Sequence, residues 1–287
     1  MRRWLVTGAD GMLGRDLTDL LTAGGDQVIG LNRADLDVTD AAAVTAALTC
    51  HRPDVVVNCA AWTAVDDAQA REEEALAVNG HAVGYLANAC AHGRAALVQV
   101  STDYVFDGLA DEPYAEDHPA APRSAYGRTK LAGERAARAA LPHDAYVVRT
   151  AWLYGAHGSS FVATMLARAR AGSPVSVVGD QRGQPTWTAD VAAQIHAMIA
   201  TAAPAGTYHA TSSGETTWLG LAREVYALAG ADLALVTPTT SAAYQRPAPR
   251  PAYSVLGHDG WLACGIKPIG DWRDALERAF PAMEAVL

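Results

Sequence analysis

The sequence contains few lysines, few cysteines and no long apolar run. Of its 22 basic residues only Lys130 and Lys267 are lysines, so arginine supplies nearly all of the positive charge. The four cysteines include no C-x-x-C pair and have no histidines at ligand spacing, which argues against a disulfide framework and against a zinc site. No apolar stretch reaches the about 18 residues of a membrane span and no signal-like segment is present, so we expect a cytoplasmic protein.

Positive charge is also scarce relative to negative charge, because 31 acidic residues give the chain a net charge of −9. An acidic chain is a poor partner for nucleic acid or for an anionic membrane surface. If the ligand is an anion, backbone N–H groups and a few arginines must hold it in a specific pocket. We therefore expect neither nucleic acid nor membrane as a partner.

The first 150 residues alternate short, β-branched apolar runs with longer helical segments. Apolar strands separated by helices are typical of a parallel sheet that is covered by helices on both faces. We therefore predict a doubly wound parallel α/β fold. Strands are expected over 4–8, 27–32, 55–60, 95–102 and 145–155, and helices over 12–23, from Asp40 onward, over 73–92 and around Tyr126.

The rest of the chain, 151–287, is less regular. It is predicted to form a smaller C-terminal lobe, with some elements returning to the first domain. Helices are expected over 159–171 and 189–201, and a short strand over 176–179. The stretch 236–258 carries four prolines, which favours a structured loop over a helix.

Three glycines mark a candidate phosphate-binding loop between the first strand and the first helix. Gly8, Gly11 and Gly14 have the spacing G-x-x-G-x-x-G, which permits a tight turn and lets backbone N–H groups approach a pyrophosphate. Such a turn can also be purely structural. Its position at the first strand–helix junction favours nucleotide binding by the loop, including Met12 and Leu13.

The end of the second strand indicates which nucleotide is bound. An acidic residue there typically binds ribose hydroxyls, whereas an arginine accommodates a 2′-phosphate. Asn32 and Arg33 end this strand, which favours NADPH, with NADH as the alternative if Arg33 is only a solvated surface residue. Asp37 and Val38 follow and are expected to form the wall beside the adenine.

Tyr126 and Lys130 are four positions apart, so a helix places them on one face. A lysine ammonium beside a tyrosine favours the phenolate and lowers its pKa from the ordinary value of about 10. A compact ammonium also reaches a ribose hydroxyl where the planar arginine fork fits poorly, which explains a lysine in an arginine-rich chain. In an arbitrary sequence such a pair is a chance surface pair. Here the glycine loop and Thr102, at the end of the fourth strand, favour a catalytic role.

Longer segments of the sequence resemble the dTDP-4-dehydrorhamnose reductase family, a branch of the extended short-chain dehydrogenase/reductases. The resemblance runs nearly end to end and is far more specific than a glycine pattern. The segments that carry it are GADGMLG (8–14), DLDVTD (35–40), VVNCAAWTAVDDAQ (56–69), VSTDYVFDG (100–108), YGRTKLAGE (126–134), RTAWLYG (149–155), GDQRGQPT (179–186) and RPAYSVL (250–256).

The resemblance implies an NAD(P)-binding Rossmann domain over 1–150 and a mainly substrate-binding lobe over 151–287. It also implies that NAD(P)H reduces the C4 ketone of a dTDP-linked 4-keto-6-deoxyhexose, foremost dTDP-4-dehydro-L-rhamnose. Tyr126 would donate the proton, Thr102 would bind the same oxygen, and Lys130 would bind the nicotinamide ribose. Trp152 would offer the face of its indole to the sugar. The remaining implied contacts are Ala60, Ala61, Thr63 and Asn79 for the cofactor, and Thr63, Val65, Asp103, Tyr104, Gln184 and Arg250 for the substrate.

Several alternatives stay open. Trp152 can instead be a core residue, and Tyr104 can cap a domain interface. The same catalytic residues serve 4-ketoreductases of other dTDP-4-keto-(di)deoxyhexoses, and non-catalytic nucleotide-binding regulatory subunits resemble this family too. Some family members hold Mg²⁺ with glutamates at a dimer interface, but only Asp16 lies near such a position here. We therefore predict no metal, and either a monomer or a homodimer.

Overall fold

A six-stranded parallel sheet forms the centre of the protein in the computed structural model, which describes residues 1–286. The strands in chain order are β1 (Arg3–Thr7), β2 (Gln27–Leu31), β3 (Val55–Asn58), β4 (Ala96–Thr102), β5 (Ala145–Thr150), β6 (Leu153–Tyr154), β7 (Val175–Val178), β8 (Arg182–Gly183), β9 (Thr186–Trp187), β10 (Gly206–His209), β11 (Thr216–Thr217) and β12 (Val236–Thr239). In space, the central sheet has the order β10-β5-β4-β3-β1-β2.

Helices connect the strands and cover the sheet. They are α1 (Met12–Ala23), α2 (Ala41–His51), α3 (Val65–Ala70), α4 (Glu72–Leu76), α5 (Ala82–Gly93), α6 (Ala125–Ala140), α7 (Phe161–Arg170), α8 (Thr188–Ala200), α9 (Trp218–Leu228), α10 (Asp259–Ala263) and α11 (Trp272–Ala285). Side-chain caps define the starts of two helices that matter for the site. Asp40 accepts hydrogen bonds from the first turn of α2, and Ser124 accepts one from the first turn of α6.

Two apolar layers hold the helices against opposite faces of the sheet. Consecutive residues of β1 point to opposite sides, so Trp4 lies in one layer and Leu5 in the other. Leu17 of α1 packs in the layer with Trp4, and Leu86 of α5 packs in the layer with Leu5. Helices on both faces of a parallel sheet confirm the doubly wound α/β fold.

The chain after β5 builds a separate apolar core and also contributes to the sheet. Leu166, Tyr226 and Leu276 bring α7, α9 and α11 together in this second core. Strand β10 extends the sheet beside β5, and Ile195 of α8 packs on the sheet. The smaller lobe and the sheet are therefore joined by more than one crossing of the chain.

Two predicted elements differ from the structure. The strand predicted over 145–155 ends at Thr150, because Trp152 has a φ of +47° and turns the chain, so that β6 pairs with β9 instead. The helix predicted over 73–92 contains a π turn at Ala77–His81. The proline-rich stretch 236–258 contains β12 and no helix, as predicted. Among residues 1–286 the structure has no helix with the length and apolar character that a bilayer crossing requires.

Candidate active site

An inner cavity of about 690 Å³ opens at the carboxyl ends of β1, β3, β4 and β5. Loops that follow parallel strands meet at the same edge of the sheet, which is where ligands bind in such folds. Most of the residues predicted from the sequence line this cavity: Gly8, Gly11, Met12, Leu13, Arg33, Asp37, Val38, Ala60, Ala61, Thr63, Val65, Thr102, Asp103, Tyr104, Tyr126, Lys130 and Trp152.

The glycine loop at one end of the inner cavity leaves no room for side chains. Gly8 has a φ of +65°, and a Cβ there would lie 2.7 Å from the backbone nitrogen of Ala60. A Cβ on Gly14 would overlap the carbonyl oxygen of Gly8. The helix α1 that follows starts at Gly11 without any side-chain cap, so its first N–H groups remain available to an anion. The loop therefore fits a pyrophosphate.

The loop after β2 forms the neighbouring wall of the inner cavity. Arg33 is exposed on this wall. The Thr39 hydroxyl and N–H donate to Asp37 and lower the pKa of that carboxyl, and Arg33 adds to the effect. Asn32 is different, because its Oδ1 accepts from the N–H groups of Ala34 and Asp35 and caps its own turn. Arg33 rather than Asn32 is thus placed to meet a ligand.

The three predicted catalytic side chains lie together at the other end of the inner cavity. Thr102 Oγ1 donates to Asp103 Oδ1 at 2.9 Å, and the rings of Tyr104 and Tyr126 meet edge to face with centroids 5.7 Å apart. Lys130 Nζ donates to the carbonyl oxygen of Val100 at 2.7 Å. Burial lowers the pKa of this lysine to about 8.

The expectation that Lys130 lowers the pKa of Tyr126 is wrong for this arrangement. Burial raises the pKa of the Tyr126 hydroxyl to about 12. A hydrogen bond with Thr102 lowers the pKa, but its effect is smaller than that of burial. The nearby Asp103 carboxyl raises it further. The tyrosine is therefore protonated at neutral pH, as a proton donor must be.

A buried ion pair ties together the elements that carry these residues. Arg149 of β5 donates from Nε and Nη2 to the two carboxylate oxygens of Glu134 on α6, at 2.9 and 2.8 Å. Ser101 of β4 donates to the same carboxylate at 2.6 Å. Both members of the pair are almost completely buried, so each charge depends on the other. The network holds α6, with Tyr126 and Lys130, against the end of β4.

Three buried polar atoms on the wall of the inner cavity have no hydrogen-bond partner within residues 1–286. They are Asp103 Oδ2, Thr150 Oγ1 and Trp62 Nε1. Buried polar atoms are rarely left unpaired in folded proteins. Their position indicates that a polar ligand completes the site.

A second concavity, which we call the outer groove, has a volume of about 790 Å³ and lies in the C-terminal lobe. Its walls include Arg168, Arg246 and Arg250. Arg250 donates from both Nη atoms to the carboxylate of Asp66 at 2.9 Å, and Arg246 lies 3.5 Å from the same carboxylate. Two guanidinium groups share one carboxylate, so positive charge remains in excess.

Two residues predicted from the family resemblance reach neither concavity. Asn79 exchanges two hydrogen bonds with the backbone of Trp62 and donates to Thr129, so it holds the loop after β3. Gln184 is buried and is bonded to both backbone groups of Leu256 and to the Thr211 hydroxyl. Their polar groups are used inside the protein, so their expected direct contacts with a ligand stay predictions that the walls of the two concavities do not support.

The face of the Trp152 indole is not available to a sugar. On one side the ring stacks on Trp218, with centroids 3.5 Å apart and planes 9° apart. On the other side lies Gly183, where a Cβ would be 2.5 Å from Trp152 Cε2 and 2.7 Å from the two adjoining ring atoms. These near-equal distances place Gly183 above the ring. Trp152 therefore presents an edge to the inner cavity, and its expected face-on platform is wrong.

Sequence reasoning missed several lining residues. Trp62 and Thr150 lie inside segments that the motifs cover, but nothing in their spacing distinguishes them from core residues. Trp218 and Arg246 belong to no recognised segment, and only packing of the lobe brings them to the site. Residues 1–286 contain no group of three or more His, Cys, Asp or Glu side chains placed to hold a metal ion.

The sheet, its glycine loop and the Thr–Tyr–Lys set define the class of Rossmann-type extended short-chain dehydrogenase/reductases. The family model described as "RmlD substrate binding domain" matches residues 1–285, so the chain belongs to this family. A Streptomyces griseus protein named dTDP-4-dehydrorhamnose reductase is 56% identical over 285 residues, covering 98% of this chain and 94% of that protein.

Two further relatives bear on the substrate and the cofactor. A Streptomyces antibioticus protein named probable dTDP-4,6-dihydroxy-2-methyloxan-3-one 4-ketoreductase is 56% identical over 280 residues, covering 97% of this chain and 95% of that protein. The crystal structure of dTDP-4-dehydrorhamnose reductase from Bacillus anthracis in complex with NADP has a TM-score of 0.94 at 34% identity, covering 98% of this chain and 99% of that one.

Proposed function

We propose that this protein reduces the C4 ketone of a dTDP-linked 4-keto-6-deoxyhexose with NADPH, converting dTDP-4-dehydro-L-rhamnose to dTDP-L-rhamnose. The observation that carries the proposal is the meeting of Thr102, Tyr126 and Lys130 in one cavity with the glycine loop. The names of the S. griseus and B. anthracis relatives support the substrate, and the NADP in the latter structure supports the cofactor.

The cofactor fits the residues of the first domain, 1–150. The glycine loop and the uncapped start of α1 bind the pyrophosphate, and Arg33 pairs with the 2′-phosphate. Asp37 and Val38 border the adenosine. Ala60, Ala61 and Thr63 follow β3 along the path from the loop to Lys130, which binds the nicotinamide ribose. When bound, the nicotinamide supplies the hydride.

The step carried out by the protein's own side chains is the transfer of a proton to the C4 oxygen. Tyr126 holds its proton at neutral pH because burial raises the pKa of its hydroxyl to about 12. The forming alkoxide is more basic than the phenolate, so the proton moves from Tyr126 to the C4 oxygen. Thr102 binds the same oxygen, and its hydrogen bond to Tyr126, which lowers the pKa of that hydroxyl, stabilises the phenolate left behind.

The substrate spans both concavities. Asp103 Oδ2 is buried without a partner and accepts a sugar hydroxyl, while Thr63, Val65 and the edge of Trp152 surround the ring. The outer groove, formed mainly by the lobe over 151–287, binds the nucleotide diphosphate, and Arg246 and Arg250 supply its countercharge. The cytoplasmic location stays a prediction, as does the choice between monomer and homodimer.

A second candidate is the 4-ketoreduction of another dTDP-4-keto-(di)deoxyhexose. The observation that favours it is the S. antibioticus relative, named a probable 4-ketoreductase of a different sugar, which is as similar to this chain as the S. griseus protein. Both candidates use the same catalytic residues. A non-catalytic regulatory role has no such support, since Thr102, Tyr126 and Lys130 are all present and gathered.

Turnover assays with purified protein distinguish these functions. NADPH oxidation is followed with dTDP-4-dehydro-L-rhamnose, with a dTDP-4-keto-2,6-dideoxyhexose, and with dTDP-glucose as a control that has no ketone. We expect turnover of the rhamnose precursor and none of dTDP-glucose. Turnover of the dideoxy sugar alone supports the second candidate, and turnover of neither ketosugar contradicts the proposed function.

A further inference from the structure

The inner cavity and the outer groove share two aromatic side chains. Tyr104 and Trp218 line both concavities, so they form the neck at which the two meet. A ligand with its reacting carbon beside Tyr126 and its charged end in the outer groove has to pass between them. On the Tyr104 side, the ring is fixed by its edge-to-face contact with Tyr126.

Trp218 is held in place from both sides. One face stacks on Trp152 at 3.5 Å between centroids, and Phe161 packs on it at 4.7 Å with the planes 59° apart. Phe161 lines the outer groove and Trp152 lines the inner cavity. Together with Trp218 between them, these rings form one continuous row of aromatic side chains that extends from the inner cavity to the outer groove. The central ring of this row is Trp218.

The backbone supports the same arrangement. Trp152 has a φ of +47°, a conformation that a bulky side chain adopts only where the surroundings enforce it. Gly183 covers the far face of its indole and leaves no space for a Cβ. The Trp152 indole therefore cannot move away from Trp218, and Trp218 stacks on a ring whose position is fixed. Thr217 accepts a hydrogen bond from the N–H of Gly220 and fixes the start of α9, where Trp218 lies.

We propose that Trp218 is a specificity-determining residue, which contacts the substrate between its pyranose ring and its diphosphate and sets how deeply the sugar enters the inner cavity. This inference rests on the proposed function, since it assumes a nucleotide-linked sugar. Because Trp152 and Phe161 cover its faces, the Trp218 indole presents its edge as a fixed apolar wall between the ring and the diphosphate. Trp218 touches none of the proton-transfer groups, so it acts on substrate binding and not on the chemical step.

Three variants test the inference. Trp218→Ala removes the wall, Trp218→Phe keeps a ring, and Trp187→Ala is the control. Trp187 is also a half-buried tryptophan of the lobe, covered by Arg278, but it lines neither concavity. We expect Trp218→Ala to raise the KM for the ketosugar about tenfold or more, with kcat and the Kd for NADPH changed by less than about threefold. Trp218→Phe should stay within about threefold of wild type, and Trp187→Ala within about twofold, in KM.

Calorimetric titration with dTDP-L-rhamnose separates this inference from the proposed reaction. The Kd should rise about tenfold in Trp218→Ala and stay unchanged in Trp187→Ala, whichever ketosugar the enzyme reduces. The far-UV circular dichroism couplet of two stacked indoles should disappear in Trp218→Phe and persist in Trp187→Ala. Equal binding by wild type and Trp218→Ala overturns the inference alone, as does an equal loss in Trp187→Ala. Failure of the wild type to bind any dTDP-sugar overturns the proposed function as well.

Discussion

The inner cavity and the outer groove are of similar size but are built in opposite ways. The inner cavity is formed at strand ends by closely packed backbone. Asp103 and Lys130 on its wall are almost completely buried, and Tyr126 beside them is half-buried. The outer groove is formed by helices and loops of the lobe, and its charged groups are arginines that water reaches. Buried groups change their proton affinity, whereas solvated arginines act only as fixed positive charges.

This difference assigns separate tasks to the two regions. Changes in the inner cavity should alter the rate of the chemical step or the binding of the cofactor. Changes in the outer groove and at the neck should alter only the binding of the nucleotide sugar. A variant in one region that changes the step assigned to the other would show that the two regions do not work separately.

The largest effect is expected from Tyr126→Phe in the inner cavity. This change removes the proton donor and keeps the ring that packs against Tyr104. Loss of a general acid should lower kcat by about 10²–10⁴-fold in steady-state assays. The Kd for NADPH, measured by fluorescence, should stay within about twofold of wild type. Undiminished kcat would show that another group protonates the C4 oxygen.

The next largest effect is expected from Gly8→Ala in the glycine loop. The new Cβ would lie 2.7 Å from the Ala60 nitrogen, and the residue would keep a φ of +65°. We expect a loss of about 2–4 kcal/mol in urea-unfolding stability, together with weaker NADPH binding. Gly25→Ala is the matched control, since Gly25 has a φ of +82° but no atom within 4 Å of its Cβ position. It should cost only about 1 kcal/mol, the strain without the clash. Equal losses in both variants would mean that crowding at the loop contributes nothing.

Two arginine variants sharpen the division between the regions. Arg33→Ala should raise the KM for NADPH about tenfold and leave the KM for NADH and for the ketosugar unchanged, because only the 2′-phosphate contact is lost. Arg246→Ala should raise the KM for the ketosugar and leave the KM for NADPH unchanged. The increase should be only about threefold, because the exposed charge of Arg246 is screened by solvent. The division fails if either variant affects both substrates alike.

A further effect is expected in the pH dependence of stability. Burial raises the pKa of Asp103 to about 6 from its ordinary 3.8, so the folded protein binds this proton more tightly than the unfolded chain does. The contribution of the Asp103 carboxyl to the free energy of unfolding is therefore fully present below pH 3.8, where the group is protonated. This contribution is lost as the pH rises through about 6 and the buried carboxyl ionises. Asp103→Asn cannot ionise and keeps the acceptor for Thr102.

Urea unfolding at several pH values measures this effect. Relative to wild type, the Asp103→Asn variant should be more stable at pH 7 than at pH 4, by on the order of 2 kcal/mol. Arg246 contributes to lowering the pKa of the Asp66 carboxyl, so relative to wild type Arg246→Ala should show no gain of stability from pH 4 to pH 7. A difference between Asp103→Asn and wild type that is the same at both pH values would contradict the raised pKa.

The sequence allowed prediction of those parts of the site that depend on local spacing. The glycine loop and the Tyr126–Lys130 pair were predictable because a turn or one helical face brings the residues together. The sheet was predictable because the apolar strands alternate with helices. The break after Thr150 was not, because no glycine or proline lies within residues 149–152 to mark the turn at Trp152.

The substrate half of the site depends on contacts between distant segments. Trp218 reaches the inner cavity only because α9 packs in the lobe core, and no motif marks it. Gln184 lies in a segment typical of the family, yet its side chain bonds to Leu256 and Thr211 and lines neither concavity. Family resemblance therefore identified the correct segments, while the orientation of each side chain required the structure.

In the proposed reaction, Tyr126 and a nicotinamide act together on the C4 ketone of a dTDP-sugar. The most direct measurement is reduction of dTDP-4-dehydro-L-rhamnose with NADPH deuterated at the transferred position, followed by NMR of the product. We predict dTDP-L-rhamnose carrying deuterium only at C4, formed by the wild type and not at a comparable rate by Tyr126→Phe. A product without deuterium at C4, or equal deuteration rates in both proteins, would contradict the claim.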